Sequence, residues 1–160
     1  MMSQLSHFDQ QGASRMVDVG SKAVTDRMAR ASGRIRMAVS TLERVRDRSL
    51  EKGDVLSVAR LAAIMGAKQT ATLIPLCHPL ALDRVEIDFQ FPDDQTIEVW
   101  ATVGVSARTG VEMEALAAVS VAALTIYDMC KSIDREMVVE MIRLEEKAGG
   151  RSGHFIRSTS

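Results

Sequence analysis

Val85-Glu86-Ile87-Asp88-Phe89-Gln90-Phe91 and Thr96-Ile97-Glu98-Val99-Trp100-Ala101-Thr102-Val103, with Pro92-Asp93-Asp94 between them, decide the fold. Both runs alternate with period two, which gives a strand one face to bury. The proline and two aspartates are turn chemistry, so the pair reads as a hairpin. Upstream, Asp54 stands where an N-cap belongs, and Val55, Val58, Ala59, Ala62 and Ala63 keep helical spacing to about Lys68. Gly33 to Val39 alternates again and reads as a strand, with a short charged helix and loop over Ser40 to Leu50. Before it, Lys22, Arg27 and Arg30 lie in a short stretch of helical appearance.

Downstream of the hairpin, Glu112 to Lys131 is rich in Ala, Val and Leu and carries no charge between Glu114 and Asp128. A helix so apolar on nearly every side must be covered, by a core or by another subunit. A last strand is expected near Val138 to Leu144, followed by the glycine-rich tail Gly149-Gly150-Arg151-Ser152-Gly153. The order β-α-β-β-α-β is the split βαβ pattern of ferredoxin-like α+β sandwiches, an antiparallel sheet with helices on one face. One domain is expected over 1–160, with a flexible N-terminal segment (about 1–15) and a flexible tail (about 147–160).

Composition narrows the function classes. Among 160 residues, 20 basic and 21 acidic side chains leave a net charge of −1, so no global field draws nucleic acid and any anion needs a local cluster. Aromatics are 4 %, too few for a base-stacking platform, which disfavours RNA. Ten methionines suggest an adaptable core. Two cysteines and a polar N-terminus point to a reducing cytoplasm. The uncharged stretch Ala115 to Tyr127 falls short of the roughly 20 residues of a membrane span.

Four constellations carry chemistry. Asp128 and Lys131 share one helix face at spacing i, i+3; the plain reading is a surface ion pair, the functional one an acid–base unit at the rim of an apolar surface. Glu112, Met113 and Glu114 open the same helix, where acids complement the dipole and could also bind the donor edge of a guanine-like or pterin-like ring. Leu76-Cys77-His78 is bracketed by Pro75 and Pro79, which fix the backbone; the alternative is a satisfied structural histidine. Zinc is disfavoured, because no second close pair of ligands accompanies Cys77 and His78. Arg27, Lys52, Lys147 and Arg151 form a scattered basic set, solvated charges singly but phosphate ligands if gathered. No standard nucleotide-binding loop is present.

At these blocks the chain resembles the MoaC family of molybdenum cofactor biosynthesis. The matching stretches are Met-Val-Asp-Val at 16–19, Lys-Gly-Asp-Val at 52–55 and Leu-Ile-Pro-Leu-Cys-His-Pro-Leu at 73–80. Thr-Gly-Val-Glu-Met-Glu-Ala at 109–115 and Leu-Thr-Ile-Tyr-Asp-Met-Cys-Lys at 124–131 complete them, in order along most of the chain. The resemblance implies a ferredoxin-like subunit in a cytoplasmic homohexamer, a trimer of dimers, with active sites where subunits meet. It implies a lyase that rearranges a 3′,8-cyclised dihydro-GTP, the product of a radical SAM enzyme, to cyclic pyranopterin monophosphate with loss of diphosphate. Carried over by motif, Asp128 and Lys131 are the catalytic pair, with Lys52 as a further acid–base or phosphate group. Leu76, Cys77, His78, Met113 and Glu114 line the substrate site, Glu112 supports it, and Arg27 and Lys147 bind the triphosphate, with Arg151 from the tail. No cofactor is implied beyond magnesium that could accompany the triphosphate. Two departures touch the tail: Arg151 stands where the family usually has lysine, and His154 where it more often has an acid. The alternative is a non-catalytic ferredoxin-like module for a small ligand or RNA, which leaves the joint presence of these residues unexplained.

Overall fold

The sheet is built around its first strand. In the computed structural model, which describes residues 12–51, 53–151 and 153–158, β1 (Thr25–Arg36) pairs antiparallel on one side with β3 (Thr96–Ala107) and on the other with β4 (Val138–Ala148). β2 (Arg84–Gln90) joins β3 as the expected hairpin, with Val85 opposite Val103 and Phe89 opposite Val99. β5 (Phe155–Ile156) adds to the far side of β4, so the described strands run β2-β3-β1-β4-β5. α1 (Val39–Arg46), α2 (Val55–Lys68), the short α3 (Thr70–Leu73) and α4 (Glu112–Cys130) complete the chain order. The result is the expected α+β sandwich, with α2 and α4 against one face of an antiparallel sheet.

Three expectations about extent change. The stretch holding Arg27 and Arg30 is strand, not helix, because β1 begins at Thr25 rather than Gly33. Its inward residues there are only Ala29, Ala31 and Gly33, all buried and all small. β4 continues past Leu144 to Ala148, so Lys147 belongs to the sheet. Two register shifts, at Arg30/Ala31 and Arg34/Ile35, leave Glu145 and Glu140 as extra residues and break the alternation a sequence reader follows. Finally, His154 to Ser158 is not a free tail, since Phe155 and Ile156 pair with Lys147 and Glu146. The expected flexible segment at 1–15 lies outside the described residues up to position 11.

Packing of α4 fixes the rest. A Cβ on Gly33 would collide with Val119 and with the carbonyl of Met141, so β1 is glycine where the helix crosses it. Gly66 of α2 meets Val121 in the same way, which lets the two helices approach closely. Ala115, Ala118, Val119, Ala122, Ala123 and Ile126 are fully buried between α2 and the sheet. α4 is long and apolar enough to cross a membrane by length and composition, yet half of it is buried within this fold. Asp54 caps α2 by accepting a hydrogen bond from the Ser57 N–H at 3.1 Å, which holds its carboxyl below the ordinary range. The other face of the sheet is polar: Arg30 lies 4.3 Å from the Trp100 ring centre, Arg34 pairs with Glu98 at 2.8 Å, and Glu145 accepts from Ser32 and Arg143.

Candidate active site

Site residues gather where the first described turn, the Pro75–Pro79 loop and the start of α4 meet. Gly20 N–H donates to Asp18 Oδ1 at 2.8 Å and Lys22 N–H to the Val19 carbonyl at 3.0 Å. This turn swings Val17, Val19 and Lys22 into the wall of a cavity of about 270 Å³. Leu76, Cys77 and His78 line it from the loop; Glu112, Met113 and Glu114 line it from the first turn of α4. The structure therefore brings together the five residues expected to line the substrate site and Glu112, expected to support it.

Their chemistry differs residue by residue. Glu114 is only 4 % exposed, and burial, reinforced by the nearby Glu112 charge, raises its carboxyl above the usual range. Burial, with the field of Glu114, also raises the Cys77 thiol. A thiol held protonated is a weak nucleophile, which leaves Cys77 as part of the cavity wall. The His78 ring makes no hydrogen bond to the described residues and stays available to a bound molecule. Glu112 folds back over Gly110, where a Cβ would collide with its carboxylate, and Lys147 approaches it at 3.5 Å. Lys147 is thus tied to Glu112 rather than set among the cations described next.

A second cavity, of about 500 Å³, adjoins the first through Lys22, which lines both. Its walls are Ser21, Lys22, Ala23, Thr25, Arg27, Gly150 and Arg151, and its charged groups are all cations. Arg27 braces this wall: its Nε donates to the Ala107 carbonyl at 2.9 Å and its Nη2 to the Arg108 carbonyl at 3.1 Å. Lys22 is the residue sequence reasoning passed over. The signal was its place just after Met-Val-Asp-Val, where the Asp18 turn aims it inward.

Asp128 and Lys131 are not here. They form an ion pair of 2.6 Å at the far end of α4, with side chains more than half exposed. Asp128 lies fourteen positions beyond Glu114 on the helix, a rise of about 21 Å at about 1.5 Å per residue. An exposed pair of this kind adds only about 0.2–1 kcal/mol to stability. Lys52 lies outside the described residues. Among the described residues, no group of three His, Cys, Asp or Glu side chains is placed to hold a metal.

Fold and site together define an α+β protein with a cationic cavity beside one lined by carboxyl, imidazole and thiol groups. The chain belongs to the MoaC family, whose model matches residues 16–150. It is 58 % identical over 154 residues to the cyclic pyranopterin monophosphate synthase of Desulfitobacterium hafniense, covering 96 % of this chain and 94 % of that protein. It is 59 % identical over 158 residues to the Magnetococcus marinus protein of that name, covering 98 % and 96 %. Against the Novosphingobium aromaticivorans protein, also so named, identity is 60 % over 152 residues, with 95 % and 96 % covered.

Proposed function

We infer that this chain is a cyclic pyranopterin monophosphate synthase of molybdenum cofactor biosynthesis, acting on a 3′,8-cyclised dihydro-GTP supplied by a radical SAM enzyme. The observation that carries the reading is the joined pair of cavities, one cationic and one lined by Glu114, His78 and Cys77, meeting at Lys22. The triphosphate occupies the cationic cavity against Lys22, Arg27 and Arg151, and the ring system occupies the other. Glu112, Met113 and Glu114 face the ring's donor edge, with Leu76, Cys77 and His78 opposite. Magnesium enters with the triphosphate, as part of the substrate.

A cyclic monophosphate arises from a triphosphate when a hydroxyl of the same molecule replaces diphosphate on the α-phosphorus. The new P–O bond forms as the bond to the β-phosphate oxygen breaks; diphosphate leaves with the electron pair and the hydroxyl proton goes to a base. Cations that meet the growing charge lower this barrier, and Lys22 at the junction lies where that charge develops. Opening and reclosing the purine ring moves protons among several atoms without net redox change, which calls for several acids and bases at one place.

Asp128 and Lys131 complete the set from a second copy, with Lys52 as a further acid–base or phosphate group. Support comes from the rise of about 21 Å that α4 puts between Glu114 and Asp128 in one subunit. Val58, Leu61, Met65 and Leu124 stand 44–64 % exposed on the helix layer, apolar surface of the kind that a subunit contact covers. We read the assembly as the homohexamer and the setting as cytoplasmic. The test supplies the cyclised dihydro-GTP and follows pterin product and diphosphate together. Formation of both in equal amounts supports the reading; tight binding without product makes the chain a ligand-binding module instead.

A further inference from the structure

The last described strand contributes nothing to the core. Phe155 is 38 % exposed and Ile156 66 %, and two residues are too few to hold themselves on a sheet edge. Polar contacts hold them instead. The Arg157 N–H donates to the Glu145 carbonyl at 2.8 Å and its Nε to the Leu144 carbonyl at 2.7 Å, while its guanidinium lies 3.9 Å from the Glu145 carboxylate. His154 adds a contact of 2.7 Å to Glu146. At the other end of the connection, Gly149 and Gly150 take φ of +94° and +72° and have no room for a Cβ, against the Asp26 carbonyl and the Arg27 guanidinium respectively. Arg151 lies between these two anchorages, on the wall of the cationic cavity.

We propose that Arg157 is a positioning residue for that cavity: by clamping β5 to β4 it holds Arg151 where a polyphosphate binds. The proposal rests on the reading of the cavity as the polyphosphate site. A cation on a loose terminus must be ordered by the ligand at each binding event, and apparent affinity falls with the fraction of chains in the competent arrangement. Pairing to β4 raises that fraction before ligand arrives. Arg157 touches no part of the cavity, so its effect passes through Arg151.

The experiment measures binding of inorganic triphosphate to the full chain by calorimetry, with thermal unfolding as a control. Arg151→Ala is expected to weaken binding roughly tenfold, and Arg157→Ala about three- to tenfold, sizes typical of one charge-assisted contact. The double variant should bind no more weakly than Arg151→Ala alone, because the second change removes nothing further. In turnover, Arg157→Ala should raise KM and leave kcat unaltered. Arg157→Lys, which keeps the charge near Glu145 but not the Nε donor to Leu144, should fall between, and it carries the test if the alanine variant lowers the unfolding temperature. Additive losses in the double variant would make Arg157 a phosphate ligand in its own right and overturn the positioning role. No effect of Arg157→Ala also overturns it, while leaving the cavity reading intact. No effect of Arg151→Ala removes the cavity reading, and the proposal with it.

Discussion

Glu114 is a carboxyl that folding holds against its own preference for water. Burial raises it, with Glu112 adding to the shift, so the folded chain binds this proton more tightly than the unfolded one. Stability from this group is therefore greatest below its unfolded value and falls as pH rises through the folded one. Above the unfolded value the cost grows with pH. Glu114→Gln, which keeps the shape and removes the charge, should raise the melting temperature at pH 7 by a few degrees, with the difference closing near pH 4. The same variant should lose turnover; an unchanged rate would take Glu114 out of the chemistry. Residue types were legible at this scale because Leu76-Cys77-His78 and Glu112-Met113-Glu114 do share one cavity. Their environments were not, since Glu114 shares its cavity with residues from distant parts of the chain, Val17, Val19, Leu76 and Leu80 among them.

The elements were read unevenly, for a definite reason. The β2–β3 hairpin announces itself through alternating Ile, Val and Phe, and α2 and α4 through long runs of Ala, Val and Leu at helical spacing. The first half of β1 does not, because α4 packs so closely that the inward positions hold Ala29, Ala31 and Gly33 between arginines. Small residues chosen for close approach carry almost no hydropathy signal. In β4 the two extra residues, Glu140 and Glu145, reset the alternation, so the strand's end looked like polar tail. Gly33→Ala tests the packing argument. The added methyl must push against Val119 and a backbone carbonyl, which should cost about 1–3 kcal/mol in denaturant unfolding. A variant as stable as the parent would show that α4 has slack above β1.

For the whole molecule, the length of α4 sets the terms. One subunit carries Glu114 at one end and Asp128 with Lys131 at the other, so a working centre drawn from both ends needs two chains. Asp128→Asn and Glu114→Gln subunits, each inactive alone, should regain part of their activity when unfolded together and reassembled as mixed oligomers. Each variant should still elute at the size of the parent assembly. Mixed assemblies that stay inactive would confine the chemistry to one subunit and return the Asp128–Lys131 pair to the role of a surface contact. Hexamer and catalytic pair entered through family blocks such as 124–131, because no pattern within one chain says which copies touch.

The cationic cavity joins Lys22 and Arg27, near the start of the chain, to Gly150 and Arg151, near its end, across a sheet whose middle strand is made first. Pairing β1 with β4 is the most distant contact in the sheet, and such contacts form late. During synthesis β1 can meet β3 but must wait for β4, so a growing chain holds half a sheet and no closed cationic cavity. A product cut short anywhere before residue 138 would lack the wall that Gly150 and Arg151 supply. Nascent and truncated chains would therefore present an incomplete cationic cavity, and on the proposed function only a chain made through Arg151 competes for the triphosphate.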